Sequence, residues 1–165
     1  MRRLADADET AFAELYDRCA PGMLRAAGAI LGRDHDAQDA VQEVFLALTR
    51  GRKALAGVRN LRAYLFTALR RQCGRCVARR DRAALALSAV AEQAPGRQAG
   101  GDGELDDRLA RAMTALPRAQ REVLMFKIDG DLTFAELADV MGISPNTAAS
   151  RYRYALEKLR ASMET

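Results

Sequence analysis

The sequence predicts an all-α protein of two small helical domains joined by a flexible linker, the C-terminal domain being a four-helix helix-turn-helix unit. Three observations carry this. Apolar residues recur at spacings of three and four along almost the whole chain, the period of an amphipathic helix. Only four prolines interrupt 165 residues in which alanine is abundant and β-branched residues are few. The run PGRQAGGDG (95–103) breaks the helical pattern, which marks a linker over 89–104 between domains at 1–88 and 105–165.

The first helix begins near Asp8, with Phe12, Leu15, Tyr16 and Cys19 on one stripe, continued by Leu24, Ala27, Ile30 and Leu31. Pro21 lacks an amide hydrogen and should kink or split this helix, and Gly32 ends it. A second helix starts at Asp34 or Asp36, either of which can cap it, and ends near Arg50–Gly51. Ala37, Ala40, Val41, Val44, Phe45 and Leu48 give it one buried face. Asp36, Asp39 and Glu43 draw an acidic line on another face, with Gln42 and Leu46 alongside. Such a line is either a docking surface or a solvated face. His35, alone at the helix start, reads as solvent-facing. Gly51 to Asn60 reads as a loop bearing Arg52, Lys53 and Arg59.

A third helix runs from about Leu61 to Ala83, with Leu61, Leu65, Ala68, Leu69, Cys73, Cys76 and Val77 inward. Arg71, Arg75, Arg79 and Arg82 recur at spacings of four, four and three, so they form a ridge without interleaved acids. Like charges at that spacing repel by roughly a few tenths of a kcal/mol per pair. A phosphate backbone explains the ridge better than solvent does. Tyr64 and Phe66 either stack on unpaired bases or belong to the core. The CGRC at Cys73–Cys76 has the spacing of a redox motif, but both sulfurs fall near the apolar face of a helix with no βαβ pattern around it. Core packing is the stronger reading; nearby arginines keep a redox role as the weaker one.

Beyond the linker, Leu105, Leu109, Ala112, Met113 and Leu116 share one helix face, and Pro117 starts a helix carrying Val123, Leu124, Phe126 and Ile128. Phe134, Leu137, Ala138 and Met141 then form the stripe of a short helix that Gly142 terminates. Ile143 plugs the corner, and Ser144 followed by Pro145 is a capping residue with proline at the first helical position. On the last helix Ala148, Tyr152, Ala155, Leu156 and Leu159 anchor one side, while Asn146, Ala149, Ser150 and Arg153 point outward. A helix held by one side and presenting small, polar and basic groups on the other suits a DNA major groove.

The net charge of +4 hides an asymmetry. Residues 1–49 carry 5 basic and 9 acidic groups, whereas residues 50–82 carry 11 basic groups against Asp81 alone. Neighbouring segments of opposite sign imply two partners of opposite charge, one of them nucleic acid. No apolar run approaches a membrane span, and MRRLADADETAF lacks the apolar core of a signal peptide, so a cytoplasmic protein is expected. Cys19, Cys73 and Cys76 imply neither a disulfide framework nor a zinc site. With one histidine, no clustered carboxylates in an apolar pocket and no glycine-rich phosphate loop, no enzyme, cofactor or metal is expected.

Both halves resemble one family, in order. DAQDAVQEVFLAL (36–48) is similar to the core-polymerase-binding helix of the extracytoplasmic-function sigma factors, the minimal two-domain group of bacterial sigma subunits. NLRAYLFTALRRQCGRCVARR (60–80) resembles their promoter-melting and minus-ten-reading helix. ALPRAQREVL (115–124) and the helix-turn-helix resemble their minus-thirty-five-reading domain, down to Glu136, Gly142-Ile143-Ser144, Thr147, Ser150-Arg151 and Ala155. The chain departs from the family pattern at Ala149, where a basic residue is usual, and at Tyr64, often a tryptophan.

The resemblance implies a dissociable subunit that gives RNA polymerase its promoter specificity. It implies docking on the core, with Asp36, Asp39, Gln42, Glu43 and Leu46 as the core-binding residues on the β′ clamp, and with the β flap as a further contact of the core. The minus-ten surface would comprise Arg52, Lys53, Asn60, Tyr64, Arg71, Arg75, Arg79 and Arg80. The minus-thirty-five surface would comprise Asn146, Thr147, Ala149, Ser150, Arg151, Arg153 and Tyr154. Promoter DNA and an anti-sigma factor complete the implied partners. The alternatives are a stand-alone helix-turn-helix regulator, for which no dimerisation helix is evident, and a redox sensor using CGRC.

Overall fold

The computed structural model describes residues 2–6, 8–87 and 104–164. Their elements are α1 (Arg2–Ala5), α2 (Glu9–Leu31), α3 (Asp34–Arg50), a 3₁₀ helix (Arg52–Gly57), α4 (Leu61–Leu87), α5 (Glu104–Ala115), α6 (Arg118–Ile128), α7 (Phe134–Met141) and α8 (Pro145–Glu164). No strand occurs among the described residues. The expected linker, 89–104, lies outside them except for Glu104, which opens α5.

Asp8 caps α2 by accepting from the Ala11 amide at 3.1 Å, and Gly32 closes it at a φ of 71° that suits glycine. Three sequence expectations need correction here. Pro21 does not split the helix, which runs unbroken from Glu9 to Leu31. Proline removes one ladder bond, and the buried face that follows, with Met23, Ala26, Ala27 and Ile30, holds both turns in register. Neither Asp34 nor Asp36 caps α3. The cap position is Arg33, whose side chain makes no capping bond, and both aspartates lie in the first turn, where they favour the helix dipole. The stretch from Gly51 to Asn60 is not a plain loop, because a 3₁₀ helix occupies Arg52–Gly57 and the fully buried Leu55 pins it to the core.

α4 passes beyond Ala83 to Leu87. Asn60 caps its start, accepting from the Ala63 amide at 3.0 Å. In the C-terminal half Thr133 and Glu136 form a reciprocal capping box on α7, and Gly142 ends that helix at a φ of 66°. Ser144 then accepts from the Thr147 amide at 3.1 Å, with Pro145 as the first residue of α8. These are the turn and cap that the helix-turn-helix reading requires.

A single apolar cluster runs through both halves. It joins Met23 and Ala27 of α2, Val41 and Leu48 of α3, and Leu65, Phe66, Leu69 and Cys73 of α4 to Val123 and Phe126 of α6 and Leu137 and Val140 of α7. Phe66 and Phe126 meet edge to face with centroids 5.2 Å apart. Phe66 is therefore a core residue and not a base-stacking one. A smaller cluster gathers Met113, Leu116, Leu124 and Ala155 from α5, α6 and α8. Ile128, expected inward, is 59% exposed. As the last residue of α6, one turn beyond Leu124, it borders an open apolar groove with Leu109 and Leu156.

Candidate nucleic-acid interface

The acidic line on α3 divides into a free part and an occupied part. Asp39, Gln42, Glu43 and Leu46 are exposed, with His35 standing 3.3 Å from Asp39. Asp36 turns inward, its side chain 18% exposed and 3.7 Å from the Arg80 guanidinium. Arg80 also donates to the carbonyl of Leu31 at 2.8 Å. This pair fastens α4 to the end of α2 and the start of α3, so Asp36 and Arg80 are held within the chain.

Arg71, Arg75, Arg79 and Arg82 all stand exposed along α4. Arg75 bonds to Gln72, and Arg82 to the carbonyl of Ala78 at 3.2 Å, so both are braced by neutral groups. The ridge faces the acids across a polar groove of about 770 Å³, with Asp39, Gln42 and Glu43 on one wall and Arg75, Arg79 and Arg82 on the other. Two exposed faces of opposite charge thus lie on adjacent helices. Near the start of α4, Tyr64 is exposed and Lys53 lies on the surface, while Arg52 is half-buried and donates to the Thr49 carbonyl at 3.3 Å. Asn60 does double duty. It caps α4 and its side-chain amide donates to Glu136 of α7.

The face of α8 expected to read DNA is graded in exposure. Asn146, Arg153 and Tyr154 are exposed, while Thr147, Ala149, Ser150 and Arg151 are half-buried. The Arg153 guanidinium lies 5.5 Å from the Tyr154 ring centroid, an arrangement that steadies its long side chain. Beneath, Ala148 and Ala155 are fully buried and Tyr152 packs on the edge of Phe134. The helix is anchored on one side and open on the other.

The cysteines are buried free thiols. Burial pushes the Cys73 thiol up to about 12, helped by the neighbouring Cys76, and raises Cys19 as well. At neutral pH such a thiol stays protonated and is a poor nucleophile, so the geometry favours packing over redox chemistry. One charged residue escaped the sequence reading. Glu122 is 3% exposed, and both Arg70 of α4 and Arg118 of α6 donate to it. Its i−4 spacing from Arg118 was visible in the sequence; its burial against α4 was not.

A family model described as Sigma-70 region 2 matches residues 15–83, and one described as Sigma-70, region 4 matches residues 106–159. An ECF RNA polymerase sigma factor RpoE of Cereibacter sphaeroides is 31% identical over 99% of this chain and 92% of its own length. This chain belongs to the extracytoplasmic-function sigma factors. It is accordingly a factor of transcription initiation, and all of α3 and most of α4 and α8 lie within the matched regions. Two solved structures share the fold. One is the sigma factor RpoE in complex with the anti-sigma factor NepR from Bartonella quintana, with a TM-score of 0.78 and 22% identity, covering 94% of this chain and 98% of that one. The other is CnrH in complex with the cytosolic domain of CnrY, with a TM-score of 0.68 and 23% identity over 99% and 94%.

Proposed function

We propose that this sigma factor docks on RNA polymerase core through the exposed face of α3, with Asp39 and Glu43 as the ionic contacts and Gln42 and Leu46 completing the patch. Asp36 assists by holding Arg80, which fixes α4 beside that face. The basic surface of the core at the β′ clamp is the complementary partner, and the C-terminal half meets the β flap. The arginine ridge at Arg71, Arg75 and Arg79 holds promoter phosphates, while Arg52, Lys53, Asn60 and Tyr64 form the minus-ten surface. Asn146, Ala149, Ser150, Arg153 and Tyr154 face the minus-thirty-five major groove, with Thr147 and Arg151 at its border. Residues 1–88 and 105–165 act as the two functional units and 89–104 as their connection. The protein works in the cytoplasm as a binding subunit without catalysis of its own. An anti-sigma factor is its inhibitory partner, as the NepR and CnrY complexes of its structural relatives suggest.

The observation that carries this reading is the placement of exposed acids on α3 beside exposed arginines on α4. Asp39→Arg with Glu43→Arg should abolish co-purification with core while helical content and melting temperature stay nearly unchanged. Normal co-purification would return the acidic line to a merely solvated face.

A further inference from the structure

We propose that the apolar groove lined by α2, α5, α6 and α8 is a binding site for a small amphiphilic amine, an apolar molecule with one cationic head, which seats its tail over Gly28 and its head at Asp129. The inference does not rest on the assignment of any helix to polymerase or promoter, and its test uses neither.

The groove encloses about 660 Å³, within the range of about 300–1,000 Å³ that takes a small-molecule ligand. Leu24 and Ala29 of α2 line one side, and Leu109, Ile128 and Leu156 of α5, α6 and α8 line the other. Leu109 is 44% exposed, Leu156 40% and Ile128 59%. An exposed apolar concavity gains from an apolar occupant that displaces its water. Gly28 belongs to the same wall. It sits inside α2, where glycine weakens a helix relative to alanine. Nothing lies within 4 Å of the place its Cβ would take, and its φ is not positive, so neither crowding nor backbone conformation calls for glycine there. What the missing side chain leaves is room in the groove.

The polar rim selects the head group. Asp34, Asp129 and Arg25 border the groove, two carboxylates against one guanidinium, with neutral Gln38 beside them. Arg25 is engaged with Asp129 Oδ1 at 2.7 Å. The other oxygen, Oδ2, is buried and has no hydrogen-bond partner among the described residues, in a side chain only 4% exposed. A buried acceptor without a donor has lost its solvation, and a ligand N–H restores a partner. Asp129 also sits at the C-terminal end of α6, where the helix dipole favours positive charge. An ammonium head answers each of these features: it donates, it opposes the excess carboxylate, and it lies at the negative end of a helix. A carboxylate head meets the reverse on every count.

The test uses the full chain and three probes, octylamine, octan-1-ol and octanoate, which share a tail and differ in head charge. Titration calorimetry at neutral pH and low salt should rank them amine, alcohol, acid, with at least a fivefold gap between amine and acid. No binding, equal affinities or a stronger acid overturns the proposal. Amide NMR shifts on adding octylamine should centre on Gly28, Ala29 and Asp129, and shifts centred elsewhere overturn the site. Gly28→Leu places a side chain in the open space and should weaken octylamine at least tenfold with helical content unchanged. A folded Gly28→Leu chain that binds octylamine like wild type overturns the site. Asp129→Asn should erase the advantage of amine over alcohol, and a folded variant that keeps it overturns the role of Asp129. The wild-type ranking and shifts decide the proposal if either variant fails to fold.

Discussion

Replacing Glu122 by glutamine is the sharpest probe of how the two halves are held. The carboxylate is 4% exposed at its side chain and accepts charge-assisted bonds from Arg118 at 2.8 Å and Arg70 at 3.1 Å. Breaking a fully buried ion pair by removing one partner costs about 3–5 kcal/mol. Here the arginines are 37% and 45% exposed and can turn to water, and the glutamine carbonyl still accepts one bond. The expected loss is therefore about 2–3 kcal/mol. For a chain of this length that lowers Tm by about 4–12 °C. Far-UV circular dichroism melts at low and high salt are the assay, and the loss should persist at high salt because the pair is screened from ions. The wild type should melt in one transition, since Phe66 and Phe126 put both halves into one core. A Glu122→Gln chain melting within about 1 °C of wild type would refute the reasoning, because a buried carboxylate with two cationic partners cannot be lost for nothing.

Replacing Cys73 and Cys76 together with alanine or valine should leave transcription insensitive to oxidant at some cost in stability, and in the native wild type neither thiol should react with a thiol reagent. Switching off of the wild type by oxidant, with the double variant unaffected, would restore the redox reading. Arg75→Ala should weaken open-complex formation equally on all target promoters and lower the salt slope by roughly one unit, because phosphate contacts carry no base information. Arg153→Ala should instead cost roughly 1–3 kcal/mol at one base pair of the minus-thirty-five element, read out by transcription from a library randomised there. A uniform loss would make Arg153 a phosphate contact and Tyr154 the next candidate reader. Glu136 is held below the usual carboxylate range, first by the Thr133 amide, then by the Thr133 hydroxyl, with Asn60 adding to both. A carboxylate with a depressed folded-state pKa stabilises fully above its unfolded value of about 4.3 and loses that stabilisation as pH falls through the folded value. Denaturant melts from neutral to acid pH should fall more steeply for wild type than for Glu136→Gln. Parallel curves would show that the carboxylate gains nothing from these bonds.

Helices, turn and the α8 cap of the C-terminal half are legible because their signals are local: Gly142 and Ser144-Pro145 each act within four residues. The α4 ridge was legible for the same reason, since period alone puts Arg71, Arg75 and Arg79 on one side. What periodicity could not show was which acid meets which base across the fold. Asp36 and Arg80 read as surface residues and are tied to each other, and Phe66 reads equally as stacking or core, a choice decided by the Phe126 ring against it. Asn60 was read as a DNA contact from its place in the chain, and its bond to Glu136 comes from a residue 76 positions away. That Pro21 does not split α2 has a similar source: propensity speaks for one residue, and the packing of Met23, Ala26 and Ala27 outweighs it.

The central claim is that this chain confers promoter specificity on polymerase through its own two reading surfaces. The most direct measurement is transcription in vitro from fragmented genomic DNA, using core polymerase with and without the chain and mapping transcript 5′ ends. The prediction is a set of transcripts that appear only with the chain and share two upstream elements at minus ten and minus thirty-five. Sequence-specific DNA binding by the chain alone, with no new transcripts when core is added, would contradict it and identify a stand-alone helix-turn-helix regulator.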